Sequence, residues 1–338
     1  MDRISATLHQ LIEVLGHKLG GENGIAMLLL WATVILAGLI TYAHASRGAW
    51  SLRGFAGHLL PPTIFRHASA RADFLFWLSR RLFMPFFVLP LTISTVAAGH
   101  FAHWALLSVL GPPASPPGPA GPLLLVLFTA TMLLAYDLSY YTYHRLQHQV
   151  PLLWELHKVH HSAQVLIGVT KDRVHPVDEL MNHWWDGLIP GLCYGIWLFF
   201  ALDPVEVTLF GLNVYMLRNT VLMMDFVRHT HLKLSYGQLL SAVLISPHYH
   251  QLHHSIAPKH LDRNFGLTFT VWDWMFGTLV VPEPNEDFEF GLTSNEHDEY
   301  QSLFRLHILP IQKIGRRLYQ AFVRRPELQA DRHAGETS

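Results

Sequence analysis

Two short stretches of this sequence repeat one pattern of histidines. "HKVHHSA" (His157 to Ala163) and "HQLHHSI" (His250 to Ile256) both read His-x-x-His-His-Ser. In each, the first and third histidines are four residues apart, so in a helix their rings share one face a turn apart. The middle histidine lies about 100° around the helix, on the other flank. One helical turn can thus offer imidazoles to two neighbouring metal ions. "YHRLQH" adds His144 and His148, again at i and i+4, a spacing that chelates one ion from one helix. His175 in "RVHPVDE" and His229 in "RHTHL" complete a candidate ligand set of His144, His148, His157, His160, His161, His175, His229, His250, His253 and His254. Two facing turns plus the His144/His148 pair are enough for a dinuclear site.

Imidazole suits Zn, Cu, Fe and Ni alike, so ligand type alone does not choose the metal. The sequence has no HExxH zinc-protease motif and no ExxH pair in a membrane helix, which argues against a ferritin-like carboxylate bundle. The chain has 24 histidines, as many as Lys and Arg together, and idle imidazoles are costly to bury. Ten of them, His58 and His307 among these, read as interfacial or core residues. His183, His231, His248 and His260 stand between the two readings, as extra ligands or as structural groups. The lone cysteine, Cys193, excludes intrachain disulfides and CxxC-type zinc sites and reads as an apolar residue of a membrane segment.

The elements that must position these groups are helices in a lipid bilayer. Half of the 338 residues are hydrophobic and 14% are charged, against roughly 25% charged in soluble domains. Mean hydropathy is +0.23. The net charge of -1 gives no reason to expect a nucleic acid partner. An uncharged run, Gly24 to Ala43, is long enough to cross about 30 Å of hydrocarbon. With no basic n-region before it and no A-x-A site after it, it reads as a retained membrane helix and not a signal peptide. Apolar stretches follow at Leu82 to Leu110 and at Pro122 to about Tyr143. Gly187 to Leu202 and Val205 to Met224 read as a hairpin turning at Asp203-Pro204. The expected fold is therefore all-α, a polytopic bundle of about four to five membrane segments carrying a histidine-rich helical cap.

Basic residues orient that bundle. Arg47, Arg53, Arg66, Arg71, Arg80 and Arg81 lie between the first two apolar stretches, and Arg145, Lys158, Lys171 and Arg173 follow the third. The Pro/Gly-rich loop between the second and third has none. The N-terminus is therefore expected outside, with the histidines and the C-terminus in the cytoplasm. The organisation reads as a polar N-terminal segment (1–23), the first membrane helices with a basic cytosolic loop (24–110), the Pro/Gly-rich loop (111–121), a catalytic region (122–310) and a basic, weakly amphipathic tail (311–338) suited to lying on anionic lipid.

From Asp137 to Pro282 the motifs "YHRLQH", "LWELHKVHHS", "RVHPVDE", "RHTHL", "SPHYHQLHHS", "DRNFG" and "WDWMFGT" together resemble the fatty acid hydroxylase/sterol desaturase superfamily of membrane non-haem di-iron oxygenases. The resemblance implies four or more membrane helices, a cytosolic cap with two Fe ions held by the ten histidines, and O2 as co-substrate. It also implies a lipid substrate and electrons from a separate donor, a ferredoxin or cytochrome with its reductase. The chain departs from the family pattern at His231, where many members have Asn, and at the additional His248. Ligating imidazoles usually donate their other N–H to a carboxylate or carbonyl. Asp137, Asp178, Asp262 and Asp273 lie near the boxes and are the candidates for that role, with helix capping or surface charge as the alternative. Asn264 and Gly266 are expected to shape a turn. Trp272, Trp274 and Phe276 could line a lipid channel or anchor at the interface.

The reaction expected is hydroxylation of an unactivated C–H bond in a fatty acyl, sterol-like or polar lipid. The same centre could instead desaturate. A His-rich metal transporter or sensor is the alternative of a different class; it needs polar ligands near the bilayer midplane, whereas these boxes follow the helix ends on the basic side.

Overall fold

The computed structural model describes residues 22–113, 121–200, 208–209, 212–213, 225–283 and 286–335. The principal helices are α1 (Glu22–Ser46), α2 (Leu52–Leu59), α3 (Ala68–Phe87), α4 (Thr95–Leu110), α5 (Pro122–Gln149), α6 (Pro151–His161), α7 (Pro176–Phe200), α8 (Asp225–Arg228), α9 (Pro247–His253), α10 (Val271–Met275) and α11 (Leu303–Gly335). The described residues are helical apart from one two-residue antiparallel pair, Thr208–Leu209 with Leu212–Asn213, and two isolated bridges, Leu244 with Phe269 and Ser255 with Phe290.

Among the described residues, only α5 is long and apolar enough to cross a membrane by itself, and Leu30–Ser46 and Thr95–Leu110 are shorter apolar helices. The apolar stretch expected from Leu82 to Leu110 is broken in two. α3 carries Pro85, a 3-10 turn covers Leu89–Leu91, and Ser94 starts α4 by accepting the Ala97 N–H at 3.0 Å. Pro85 is accommodated inside α3, which runs on to Phe87, while Pro90, lacking an amide N–H to continue a helix, lies in the 3-10 turn where the stretch breaks. The turn expected at Asp203-Pro204 lies outside the described residues; the first arm of that hairpin belongs to the 25-residue α7.

α4 and α7 approach closely through small residues. A Cβ on Gly191 would meet the Ala98 Cβ at 2.5 Å, and one on Gly195 would meet the Gly99 carbonyl at 2.7 Å. Gly187, Gly191 and Gly195 recur every four residues, a spacing that brings helix backbones together. α5 packs on α7 through Phe128, Met132, Tyr136, Tyr194 and Leu198, with Trp197 Nε1–H donating to Thr131 Oγ1 at 2.8 Å. α5 thereby holds its last two turns, with His144 and His148, at a fixed height. Val150 is extended, as the residue before a proline prefers, and Pro151 opens α6 at its first turn.

The far end of α6 is fixed by a buried arginine. Arg173 donates Nε–H to the Val159 carbonyl (3.0 Å), Nη1 to Asp73 Oδ1 (2.6 Å), and Nη2 to Ser162 Oγ (2.8 Å) and the Tyr300 carbonyl (3.0 Å). Both members of the Arg173–Asp73 pair are without solvent exposure, and Thr170 Oγ1–H donates to the other Asp73 oxygen at 2.6 Å. One guanidinium thus joins α3, the end of α6 and the segment before α11. Around it Phe76, Val159, Leu292, Tyr300 and Leu306 form an apolar cluster. Removing one member of a buried, hydrogen-bonded ion pair costs about 3–5 kcal/mol. Arg173→Met is therefore expected to lower unfolding stability in detergent by that amount, and the Asp73→Asn/Arg173→Met double variant by less than the sum of the two single changes. Unchanged denaturation midpoints in the single variants would contradict the role given to this pair.

Candidate metal centre

Nine of the ten candidate histidines come together in two adjoining groups. His144, His148, His157, His161 and His253 form one; His160, His229, His250 and His254 form the other. Within each group the ligand nitrogens all lie within 4.8 Å of one another. Each HxxHH box is divided between the groups. From α6, His157 and His161 enter the five-histidine group and His160 the four-histidine group. From α9 the division is reversed, His253 going to the first group and His250 with His254 to the second. The groups touch where the His161 and His254 rings stack, 4.7 Å apart at 27°.

Local sequence produces this arrangement. Ser246 caps α9 and Pro247 occupies its first turn, which sets the phase of the box. Ser162 ends α6 directly after His161 and turns its hydroxyl back to the Val159 carbonyl at 2.7 Å.

Hydrogen bonds at Nδ1 fix which nitrogen faces the centre. His144 Nδ1–H donates to the Phe265 carbonyl (2.9 Å), His253 Nδ1–H to the Arg263 carbonyl (2.7 Å) and His229 Nδ1–H to the Asp225 carbonyl (3.0 Å). His148 and His157 turn Nδ1 to carboxylates, Asp262 Oδ1 at 3.1 Å and Asp178 Oδ2 at 3.4 Å. Backbone carbonyls and ionised carboxylates only accept, so with Asp178 and Asp262 ionised these five rings carry their proton on Nδ1 and direct the Nε2 lone pair inward. Inside, Nε2 meets Nε2: His161 faces His253 at 3.1 Å and His148 at 3.2 Å, and His229 faces His250 at 3.0 Å and His160 at 3.2 Å. His161 has at most one proton to give these two lone pairs. Nε2 of His144 and of His157 is buried with no hydrogen-bond partner. Converging, unshared lone pairs in a dry pocket are what a cation satisfies, and an all-imidazole set fits a borderline transition metal. Burial, reinforced by repulsion among the rings, holds the His157, His160, His161, His250 and His254 imidazoles well below their ordinary pKa. They are therefore neutral, as ligands must be.

His175 is not brought to either group. Its Nε2 bonds the His307 carbonyl at 2.9 Å and its Nδ1 accepts the Val177 N–H at 3.2 Å, so both nitrogens are used in holding the start of α7. The four extra candidates also lie elsewhere, His260 against Ser255 Oγ at 2.9 Å. His183 lies 3.6 Å from Glu179. His231 bonds the His58 carbonyl at 2.8 Å, and His248 stacks on Phe288. His231 and His248 line a separate cavity of about 640 Å³ with His44 and His58.

The four aspartates divide evenly. Asp178 and Asp262 touch ligand-group histidines. Asp178 also accepts from Tyr143 Oη and Gln147 Nε2, at 2.9 and 2.6 Å, while burial raises its carboxyl to about 7. Asp137 and Asp273 touch no histidine of the two groups. Asp273 accepts the Phe265 and Gly266 N–H groups (2.9 and 2.7 Å), and Asp137 accepts Thr268 N–H (2.8 Å), Phe269 N–H (3.0 Å) and Trp272 Nε1–H (3.0 Å). Together they fix the loop whose carbonyls orient His144 and His253. In that loop Asp262 and Asn264 adopt positive φ, 57° and 55°. The Asn264 side chain ties the Tyr249 carbonyl to Val280, the turn-shaping role expected of it. Those carbonyl acceptors left no trace in the sequence, because every residue has one.

The fatty acid hydroxylase family matches residues 129–278, which hold all nine grouped histidines. Over this region the chain is similar to that family. It is 29% identical over 173 residues to alkylglycerol monooxygenase of Caenorhabditis elegans, covering 51% of this chain and 31% of that protein. It is 26% identical to ornithine lipid hydroxylase of Rhizobium tropici (46% and 43% covered) and 28% identical to cholesterol 25-hydroxylase of Homo sapiens (57% and 61% covered). The chain thus spans about a third of the length of the alkylglycerol monooxygenases it matches. No solved structure matches it.

The division of the boxes predicts how metal is lost. With one ion expected in each group, His157→Ala should release the ion of the five-histidine group and His160→Ala the other, each lowering metal content by about half, while His175→Ala changes nothing. Asp178→Ala should weaken metal affinity about 10–100-fold. Metal analysis of the purified variants tests this; loss of both ions, or of neither, from each box variant would contradict the two-group division.

Proposed function

We propose that this chain is an integral-membrane oxygenase that hydroxylates an unactivated C–H bond of a lipid. It would use O2, two Fe ions held by the nine grouped histidines, and electrons from a separate ferredoxin or cytochrome with its reductase. The observation that carries this reading is the pair of buried, adjoining, all-imidazole groups in a region similar to the fatty acid hydroxylase family. Zinc has no redox chemistry, and the relatives named above are hydroxylases and monooxygenases, so a redox-active metal fits both ligands and reaction, and the resemblance to non-haem di-iron oxygenases makes iron the choice. When bound, the iron pair supplies the activation of O2 by two external electrons.

The overall change balances as R–H plus O2, two electrons and two protons giving R–OH and water. This chain's residues do the remaining work. The Nδ1 acceptors hold five of the nine rings in one tautomer and orientation. Burial keeps bulk water from the reacting carbon. A cavity of about 260 Å³ lined by His148, His161, His253, His254, Asp262 and Glu296 reaches the histidines, and Asp262, exposed over 69% of its side chain, links His148 to solvent. That cavity is the route for protons in and water out.

The membrane reading, four or five segments with the histidine cap and C-terminus in the cytoplasm, is supported by apolar side chains left uncovered on four helices. Phe86, Phe101, Leu123 and Leu192 stand open on α3, α4, α5 and α7, an apolar surface that needs lipid to cover it. On α11, Phe304, Ile308, Ile311, Leu318 and Phe322 are exposed at helical spacing, which suits a helix lying along the interface. The region 122–310 is the catalytic domain in this reading.

Anaerobic purification, iron counting, and addition of reductant and isotopically labelled O2 with a host lipid extract test the proposal. The expected product is a lipid heavier by one labelled oxygen atom. A lipid lacking two hydrogens instead would make the chain a desaturase. Iron content below one per chain, unchanged by His253→Ala, would overturn the di-iron reading.

A further inference from the structure

Among the described residues two arginines are completely enclosed, Arg173 and Arg228. Arg173 uses Nε and both terminal nitrogens in hydrogen bonds. Arg228 uses none: Nε, Nη1 and Nη2 are all buried without a partner. Asp225, one turn earlier, does not form an ion pair with it. Its carboxylate lies 3.7 Å from His229 Nδ1 and is 37% exposed to solvent. Asp137 is within electrostatic reach of Arg228 but is committed to Thr268, Phe269 and Trp272. Asp225 and Asp137 act on it only from beyond hydrogen-bonding distance, so among the described residues no side chain pairs directly with this buried guanidinium, an arrangement that favours an external anion.

Its position says which kind of molecule brings that charge. Arg228 directly precedes His229, and its charge acts on His229 and His250 of the four-histidine group. It also acts on Asp137 and Tyr140 of α5. These lie roughly two turns and one turn before His144, towards the apolar part of that helix, and the Tyr140 ring is 5.2 Å from the His144 ring. Arg228 therefore lies at the junction of the histidine groups and the apolar helices, where the polar end of a lipid would meet its chain. The planar guanidinium matches a carboxylate or a phosphate with paired hydrogen bonds.

We propose that Arg228 receives the anionic group of the lipid substrate, a carboxylate or phosphate, and thereby sets a carbon close to that group against the histidines. The inference depends on the oxygenase reading for the reaction after binding, but not for binding itself.

Binding is measured without turnover, on the anaerobic metal-loaded protein in detergent, with ligands sharing one alkyl chain: hexadecanoate, hexadecyl phosphate, hexadecanol and hexadecanamide. Acetate and inorganic phosphate are the chainless controls. At least one anionic lipid is expected to bind about tenfold more tightly than the two neutral ones, a difference of roughly 1.4 kcal/mol. Whether hexadecanoate or hexadecyl phosphate wins assigns the source as a fatty acid or a phospholipid. Arg228→Gln should abolish the preference and Arg228→Lys retain part of it. Metal content reports whether each variant is folded, and if Arg228→Gln fails to fold, the wild-type series with Arg228→Lys decides. Equal binding of neutral and anionic lipids, an anionic preference that survives Arg228→Gln, or chainless anions binding as tightly as lipids would each overturn the proposal. Anionic preference without oxygen incorporation would sink the oxygenase reading alone. Oxygenation of neutral lipids with no anionic preference would sink this one alone.

Discussion

Everything in the cap depends on lone pairs being held face to face. Nitrogens about 3 Å apart in a dry pocket repel unless a proton or a cation lies between them. At five rings the proton is committed elsewhere, by the carbonyls of Phe265, Arg263 and Asp225 and the carboxylates of Asp178 and Asp262. The protein has thus spent its hydrogen-bonding capacity on keeping these nitrogens unprotonated and inward. That is costly for a structural core and favourable for a metal cage, since binding energy at such a site becomes folding energy.

The remainder of the fold bears that strain. α5 is held against α7, and α7 against α4 along a glycine stripe where one added methyl group would collide with backbone or Ala98. The end of α6 is held by the fully satisfied Arg173. The loop carrying the carbonyl acceptors is held by Asp137 and Asp273, whose paired oxygens take up its N–H groups. Arg173, at the carbonyl next to His160, and the two aspartates, through the loop carbonyls, keep the rings in their directions.

Much of the site was legible in the sequence because helix geometry is local. The i,i+4 pairs and the opposite flank of the middle histidine follow from spacing, and the structure divides the boxes accordingly. His175 shows the limit, since a histidine followed by proline at a helix start can equally cap that helix, and only its contact with His307 decides. The carbonyl partners, and the isolation of Arg228, are tertiary facts with no sequence signal. From Leu82 to Leu110 the hydropathy is continuous, yet the helix is interrupted at the 3-10 turn that holds Pro90. The closeness of Asp137 and Asp273 to the boxes in sequence does not distinguish holding a ring from holding the loop that holds it.

The central claim, two metal ions in an all-imidazole cage, is tested most directly by X-ray absorption at the iron edge of the anaerobically loaded protein. Such a cage predicts first shells dominated by nitrogen, with the multiple-scattering pattern of imidazole rings and a second iron nearby. Shells dominated by oxygen, or a single isolated iron, would contradict it.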